Sequence, residues 1–397
     1  MTRCRCFLPD LAGLAGLRRV GPGTPQVYHP RAPFNCPTPN SAQYTHSMPR
    51  LALVALLLAL PLHAADVHVR VDPSAPLASP GNEDRAVFPT IQNALDHHPF
   101  ATPNPDGSPG RVFIQIVPGT YRERLFITQN HPNITLIGLG KSPSGVVITN
   151  SLNASQAGGT FFTATVQIES PGFEADNLTI ENTAGSTGQA VVVANRSDRS
   201  IFKHCRLLGH QDTLFADFGR QYYVDSFIEG DADYIFGNAA AVFERTELHS
   251  NGPGYITAQS RTSASQPTGF VILNSKVTSA IGNLGAPGLA SETWVPMPSS
   301  KSIYLGRPWR PFARVVFIST DLPAAINPAG WNNWSNPANE STAYYAESNS
   351  TGPGASPTTR VPWSHQLTST QAAPFLPADF LVGPDHWDPI TAAAQLP

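Results

Sequence analysis

Short runs of alternating apolar and polar residues, separated by turn residues, fill most of the chain after residue 65. Residues 66–75 alternate as a half-buried strand does, and residues 133–140 and 145–150 form two further runs with turn residues between them. Residues 111–127 predict two short strands around a Pro-Gly turn. The pattern therefore indicates a chain built mainly of short strands.

One segment, residues 88–99, has helical spacing instead. Its apolar residues Ile91, Ala94 and Leu95 share one face, and Pro99 ends it. A short helix at this place would cap the end of a stack of coils, whose open core must be covered. After residue 323 the strand pattern fades, and the sequence predicts loops and a short helix packed back along the stack.

A repeat runs from residue 173 to residue 322. Each unit has a large apolar or aromatic residue, a small polar residue three positions later and an apolar residue two positions after that. The units begin 29, 21, 20, 29 and 45 residues apart, so the short intervals are single coils of a solenoid and the longer ones carry insertions. Such units form the interior of a parallel β-helix; a chance alignment in a β-sandwich is the alternative. The units are Phe173/Asp176/Leu178, Phe202/Cys205/Leu207, Tyr223/Ser226/Ile228, Phe243/Thr246/Leu248, Ile272/Ser275/Val277 and Phe317/Thr320/Leu322.

Four polar residues recur with nearly the same period. Gln189 precedes Gln211 by 22 residues, and Asp212 precedes Asp233 by 21 residues. Residues one coil apart stack at about 4.8 Å, so the aspartates would lie side by side with two amides nearby. A carboxylate nucleophile, a carboxylic acid and amide donors are what acyl transfer from an ester requires. From the pattern alone, a solvated turn or a Ca²⁺ site is an equally good interpretation.

The composition agrees with an all-β extracellular protein. The 397 residues include 41% hydrophobic but only 13% charged side chains, with 39 prolines and 31 glycines. Residues 66–397 carry a net charge of −8, which does not favour nucleic-acid binding. Cys205 is the single cysteine after residue 65, so we expect no internal disulfide, no cysteine-based metal site and a buried thiol.

The first 65 residues predict export rather than a folded domain. Residues 51–62 are almost entirely apolar, too short to span a bilayer, and suited to the central region of a signal peptide. With one positive charge before them and small residues after them, residues 48–65 predict a removable signal peptide and secretion to the periplasm or the cell exterior. We interpret residues 1–47 as a misassigned upstream segment or a disordered one, an unusually long leader being the alternative. Residues 66–397 would then form one catalytic domain without membrane insertion.

Five motifs occur in a fixed order: GTYRE at 119–123, QAVVV at 189–193, GHQDTL at 209–214, DYIFG at 233–237 and LGRPW at 305–309. In this order they resemble the pectin methylesterase (pectinesterase) family, and the likeness covers nearly the whole chain after residue 65. The resemblance implies a single-stranded right-handed parallel β-helix that removes methyl esters from galacturonate C6 carboxyls of pectin and releases methanol. It also implies a monomer, and we expect no metal or other cofactor.

The resemblance further implies residue roles. Asp233 corresponds to the nucleophile that forms an acyl-enzyme, and Asp212 to the acid/base that protonates methanol and then activates water. Gln189 and Gln211 correspond to the amides around the oxyanion. Arg307 corresponds to the residue that binds both Asp233 and the substrate. The substrate-binding positions that the resemblance implies are Thr160, Gln189, Arg307 and Trp309, the last as a sugar-stacking platform.

Electrostatics gives an expectation of its own for the aspartate pair. Two neighbouring carboxyls cannot both ionise cheaply, so the pKa of one of them rises. An arginine beside Asp233 would keep that carboxylate charged and nucleophilic, and Asp212 would then hold the proton. We interpret His210, which lies between the motif residues, as making a backbone hydrogen bond rather than as catalytic.

Other functions on the same fold are an envelope thioesterase or another esterase, a pectin lyase or polygalacturonase, and a noncatalytic carbohydrate-binding β-helix. A lyase would need an acidic Ca²⁺ cluster and a basic proton abstractor, and neither pattern is found in the sequence. The thioesterase relatives lose parts of the carbohydrate site, whereas Arg307 and Trp309 are present here. The positions that depart from residues common in the family are Val193, Phe215, Tyr234 and Ser260, and they leave the preferred methylation pattern open.

Overall fold

The chain winds as a solenoid of parallel strands with three faces, so the parallel β-helix expected from the repeat is confirmed. The interpretations of residues 1–47 and 48–65 fall outside the described part of the chain. No helix in the described part is long and apolar enough to cross a membrane. The computed structural model describes residues 66–76, 86–103, 109–281, 295–296 and 302–397.

The first face is a sheet of twelve strands in which each neighbouring pair is parallel. Its strands, in spatial order, are β2 (Val87–Phe88), β1 (Val67–Val71), β3 (Val112–Ile116), β6 (Ile134–Gly138), β9 (Glu174–Asp176), β12 (Ser200–Lys203), β15 (Arg220–Val224), β17 (Ala240–Glu244), β19 (Gly269–Leu273), β23 (Arg314–Ile318), β24 (Tyr344–Ser348) and β25 (His365–Gln366).

The second and third faces are joined, because two long strands run from one into the other. These strands are β16 (Phe227–Gly237) and β18 (Glu247–Gln259). The other strands of the second face are β4 (Gly119–Tyr121), β7 (Val146–Asn150), β10 (Thr179–Asn182), β13 (Arg206–Leu208) and β20 (Lys276–Ile281), with β21 (Val295–Pro296) antiparallel to β20. The other strands of the third face are β5 (Leu125–Ile127), β8 (Val166–Ile168), β11 (Val193–Asn195), β14 (Leu214–Ala216) and β22 (Ile303–Gly306).

Short helices close one end of the solenoid and cover one of its faces. Thr90 caps the first helix through its side chain, and the Glu123 carboxylate accepts hydrogen bonds from the first two backbone amides of that helix. The C-terminal helices pack on the outer surface of the first face. The helices are α1 (Ile91–His97), α2 (Ala154–Ala157), α3 (Ser369–Ala372), α4 (Pro377–Phe380) and α5 (Pro389–Gln395), with 3₁₀ turns at Pro143–Gly145, Thr160–Phe162, Pro337–Ser341, Pro357–Thr359 and Ala373–Phe375.

Aromatic rings stack along the core from coil to coil. The ring centroids of Phe202 and Tyr223 lie 5.0 Å apart, and those of Tyr223 and Phe243 lie 4.8 Å apart. Cys205 is buried in the same core, as expected. Because parallel pairing brings equivalent positions of successive coils together, the repeat seen in the sequence becomes a continuous apolar column.

The first predicted repeat unit, Phe173/Asp176/Leu178, is wrong by two residues. Ala175, not Phe173, pairs with Phe202 in the parallel ladder. Residues two apart on a strand share a face, so the Phe173 ring still reaches the column, 5.6 Å from the ring of Phe202. The ring fills the stack from a shifted position, and the sequence pattern could not distinguish the two registers.

Two further predictions are corrected by the structure. Residues 111–127 contain three strands, β3, β4 and β5, because the coil turns two corners there instead of one. After residue 323 the sheet does not end, since β24 and β25 extend the first face. The β24 strand is hidden in sequence by the polar segment that follows it.

Candidate active site

The predicted catalytic residues lie where successive coils pass from the second face to the third. Leu214 of β14 pairs with Ile235 of β16, so Asp212 and Asp233, each two residues earlier, occupy equivalent places on adjacent coils. The backbone amide of Asp212 donates to the carbonyl of Ala232 at 3.1 Å. The predicted stacking of the two aspartates is therefore confirmed.

The backbone at both aspartates has an uncommon conformation. Asp212 has φ of 67° and Asp233 has φ of 51°, in the left-handed region that residues with a Cβ seldom adopt. The ladder between β16 and β18 is irregular just before Asp233, where Gly230 passes so close to His210 that a Cβ would lie 2.6 Å from its carbonyl oxygen. Such strain is typical of functional sites, where the fold fixes side-chain direction at some cost in stability.

Arg307 holds Asp233 with both ends of its guanidinium. Nε donates to Oδ1 at 2.9 Å and Nη2 donates to Oδ2 at 2.6 Å. The guanidinium lies between two aromatic rings, 3.9 Å from the centroid of Tyr255 and 3.8 Å from that of Trp334. A bidentate pair between stacked faces restricts the arginine to one orientation.

The two carboxyls differ in their electrostatic surroundings. Burial raises the pKa of Asp212 to about 8, and the charge of Asp233 adds to the rise. Burial also raises the pKa of Asp233, but the hydrogen bonds and charge of Arg307 oppose that rise. The arrangement therefore favours a proton on Asp212 and a negative charge on Asp233.

All seven residues singled out from the sequence line one cavity of about 310 Å³. The side-chain amides of Gln189 and Gln211 make no hydrogen bond to another described residue, so their donors are available to a ligand in the cavity. Among the described residues, no group of three or more His, Cys, Asp or Glu side chains is arranged to hold a metal. The cavity-lining residues are Thr160, Phe161, Gln189, Gln211, Asp212, Asp233, Phe236, Ala258, Arg307, Trp309 and Trp334.

Sequence reasoning missed the aromatic surface around these polar groups. Phe215 and Phe236 stack at 4.7 Å on the outside of the third face, and Phe161 packs on Phe215 at 4.9 Å. Trp309 packs against Phe236 at 5.9 Å. Trp334 completes the surface from a distant loop. Its place in the aromatic-rich segment GWNNW was the only local signal that could have indicated it.

The predicted hydrogen bond from the His210 ring to the backbone is wrong, whereas the expectation that His210 is not catalytic stays a prediction. Its ring Nδ1 lies 2.9 Å from Ser186 Oγ and 3.2 Å from Asp231 Oδ2, so it contacts side chains rather than the backbone. The ring is thus part of a small polar cluster beside the aspartate pair.

A parallel β-helix with paired aspartates, free amide donors and aromatic walls is characteristic of a class of protein, the carboxylic ester hydrolases built on a solenoid scaffold. The profile of the family described as Pectinesterase matches residues 79–384. The chain belongs to the pectinesterase family.

Relatives of known name and structure agree with this. Pectinesterase 31 of Arabidopsis thaliana is 38% identical over 74% of this chain and 88% of its own length. Pectinesterase 1 of Citrus sinensis is 35% identical, but this chain spans only 51% of it. The structure of pectin methylesterase from carrot is 33% identical, with a TM-score of 0.69 over 83% of this chain and 97% of that one. A pectin methylesterase in complex with a hexasaccharide is 27% identical, with a TM-score of 0.62 over 84% of this chain and 100% of that one.

Proposed function

We propose that the protein hydrolyses methyl esters of galacturonate C6 carboxyls in pectin and releases methanol through an aspartyl acyl-enzyme. The observation that carries this proposal is the pairing of Asp212, whose pKa is raised to about 8 by burial, with Asp233, which Arg307 holds in a fixed orientation. One group can donate a proton while the other attacks, as ester cleavage requires.

In the first step, an oxygen of Asp233 attacks the C6 carbonyl carbon. The carbonyl oxygen becomes negative and receives hydrogen bonds from the amides of Gln211 and Gln189. Asp212 gives its proton to the methoxy oxygen as the bond from C6 to that oxygen breaks, and methanol leaves. The product is an anhydride between Asp233 and the sugar carboxyl, with Asp212 now ionised.

In the second step, ionised Asp212 takes a proton from a water molecule as that water attacks C6 of the anhydride. The bond between C6 and the Asp233 oxygen breaks, which restores the Asp233 carboxylate and the Asp212 proton. The net change is one ester and one water to one acid and one methanol. Arg307 stays paired with Asp233 and stabilises it as the leaving carboxylate.

The walls of the cavity support a sugar rather than a thioester substrate. Phe161, Trp309 and Trp334 present ring surfaces around the carboxyl pair, and such surfaces stack on the apolar faces of sugar rings. The hexasaccharide bound by a structural relative is consistent with an extended saccharide in this cleft. A noncatalytic adhesin would also bind sugars with such a surface, so only the aspartate pair argues against one. Methanol release is therefore the deciding measurement.

The test is methanol release from methylated pectin by the full-length protein and by Asp233→Asn, a variant that keeps side-chain shape and removes the nucleophile. The wild type should release methanol with a burst that approaches one equivalent per site if the anhydride accumulates. The variant should still bind pectin but release none. Asp225→Asn is the matched control, because Asp225 lies at another corner of the same coil, between β15 and β16, and pairs with Arg245. Methanol release by Asp233→Asn within tenfold of the wild type would overturn the assignment.

A further inference from the structure

A polar cluster that the proposed reaction does not use lies next to the aspartate pair. Asp231 Oδ2 lies 3.2 Å from His210 Nδ1 and accepts a hydrogen bond from Ser186 Oγ at 3.4 Å. Asp231 Oδ1 accepts from the amide of Ala232 at 2.6 Å. The side chains of Asp231 and His210 are only 17% and 15% exposed, so this carboxylate is held in place on both oxygens.

Serine, histidine and aspartate together suggest a hydrolase triad, but the geometry excludes one. In such a triad the serine contacts one ring nitrogen and the aspartate the other. Here Ser186 and Asp231 both contact Nδ1 of His210. A single nitrogen cannot accept the serine proton while it donates to the carboxylate, so the cluster has a different use.

The position of the cluster follows from the coil period. Asp231 precedes Asp233 by two residues on β16, and His210 precedes Asp212 by two residues on the coil before. The backbone amide of Asp231 also donates to the carbonyl of His210 at 3.3 Å. The cluster and the proposed catalytic pair therefore lie two residues apart on the same two adjacent coils. A charge in the cluster is close enough to change the pKa of the aspartate pair.

The ionisable groups around Asp231 are few. On the preceding coil they are His210 and Asp212, and on the strand of Asp231 itself they are Glu229 and Asp233. Arg307 approaches from the other side and pairs with Asp233. The neighbouring segment 183–192 contains no ionisable side chain, and the ionisable residues of β18, which pairs with this strand, are Glu247, His249 and Tyr255. Asp231 is thus a fixed negative charge with one histidine as its close partner.

We propose that Asp231, fixed by His210 and Ser186, is a positioning residue that keeps the proton on Asp212. This inference rests on the proposed function, in which Asp212 must be protonated before the leaving group departs. Burial is the main cause of the raised pKa of Asp212; the charge of Asp233 adds to it, the charge of Arg307 opposes it, and the charge of Asp231 adds a smaller contribution. The pKa of Asp233 is raised by burial and by Asp231 in the same way, and Arg307 offsets this effect at Asp233 through direct hydrogen bonds.

The kinetic test is the pH profile of kcat/KM for Asp231→Asn. Asparagine keeps the shape and the acceptor for the Ala232 amide, and removes the charge. Without that charge the alkaline limb, at which Asp212 loses its proton, should move to lower pH by roughly 0.5 to 1 unit, as expected for a like charge near a partly buried site. Asp225→Asn, which removes a carboxylate from another corner of the same coil, should leave the limb in place. An unmoved limb in Asp231→Asn, or an equal shift in both variants, overturns the proposal.

A second measurement does not depend on activity. The pKa of Asp212 is raised from about 4 in the unfolded chain to about 8 in the folded protein, so the folded state holds a proton that the unfolded state has released. The stability that this proton contributes is fully present at low pH and is lost as the pH rises through the folded pKa. The fall in Tm between acid and mildly alkaline pH should therefore be smaller for Asp231→Asn than for the wild type and Asp225→Asn. An equal fall in all three proteins contradicts the inference. If the wild type released no methanol, the proposed function would fail and the Tm comparison alone would decide this inference.

Discussion

Trp334 should control the acid side of the pH–rate profile, because its ring is one of the two faces that hold Arg307. The guanidinium lies 3.8 Å from the Trp334 centroid and 3.9 Å from that of Tyr255. The Arg307 side chain is 23% exposed, so each cation–π contact is worth about 1 kcal/mol, between the values for exposed and desolvated pairs. Trp334→Ala removes one face and lets the guanidinium leave the orientation in which it pairs with Asp233.

The expected shift of the acid limb follows from the strength of the ion pair between Arg307 and Asp233. A weakening of the contact between Arg307 and Asp233 by about 1 kcal/mol raises the pKa of Asp233 by about 0.7 unit. Since the proposed reaction requires ionised Asp233, the acid limb of kcat/KM should move up by the same amount. At any pH below the limb, the rate falls about fivefold relative to the wild type.

The assay is methanol release across both limbs, with two matched variants. Trp334→Phe keeps an aromatic face and should retain most of the wild-type profile. Trp309→Ala removes a ring of the same cavity that packs on Phe236 and not on Arg307, so it should raise KM and leave the acid limb in place. Equal movement of the limb in Trp309→Ala and Trp334→Ala, or no movement in either, would refute the role of the stacked faces.

Three further predictions concern single groups. Gln211→Ala should lower kcat by roughly 10²–10³ with little change in KM if its amide stabilises the oxyanion, and a change in KM alone would make it a binding residue. In the wild type, the alkaline limb of kcat/KM should lie near 8, because the raised pKa of Asp212 sets the pH at which the acid loses its proton. If Asp212→Asn remained active and its alkaline limb stayed at the same pH, the limb would belong to another group. Arg360→Met should destabilise the fold by about 3–5 kcal/mol in denaturant unfolding, because it leaves the Glu347 carboxylate buried without its partner at 2.7 Å. Adding Glu347→Leu should recover most of that loss, and no recovery would show that packing rather than charge is responsible.

The repeat and the catalytic period could be found in the sequence because a solenoid makes distant residues neighbours by a nearly constant offset. Asp212 and Asp233 are 21 residues apart and stack as predicted from that number alone. Arg307, Thr160 and Trp309 came from resemblance to a family, since they reach the cavity through loops to which the period does not apply. The geometry brings them together with the aspartates, while their roles stay predictions until variants are measured.

The features that the sequence could not provide depend on packing between remote segments. Trp334 has φ of 59° and lies in a loop whose course is set by Arg360, because that side chain donates to the carbonyl of Pro328 and packs against Gly330. A local pattern contains no information on such a contact. The predicted register at Phe173 was wrong for a similar reason. Either of two positions on the same side of the strand can fill the aromatic column, and the local sequence does not distinguish them.

The long strand β16 has a consequence for how the enzyme should lose activity on heating. Asp233 lies at an irregular step of this strand, but Ala232 before it pairs with β18, and Ile235 after it pairs with both β14 and β18. Residues in doubly paired strands of a core exchange their amides only in the largest opening events. Asp233 therefore cannot be displaced by fraying of a local segment while the rest of the solenoid stays folded. Thermal inactivation should coincide with cooperative unfolding, and partly unfolded chains with an inactive site but an intact solenoid should not accumulate below the transition.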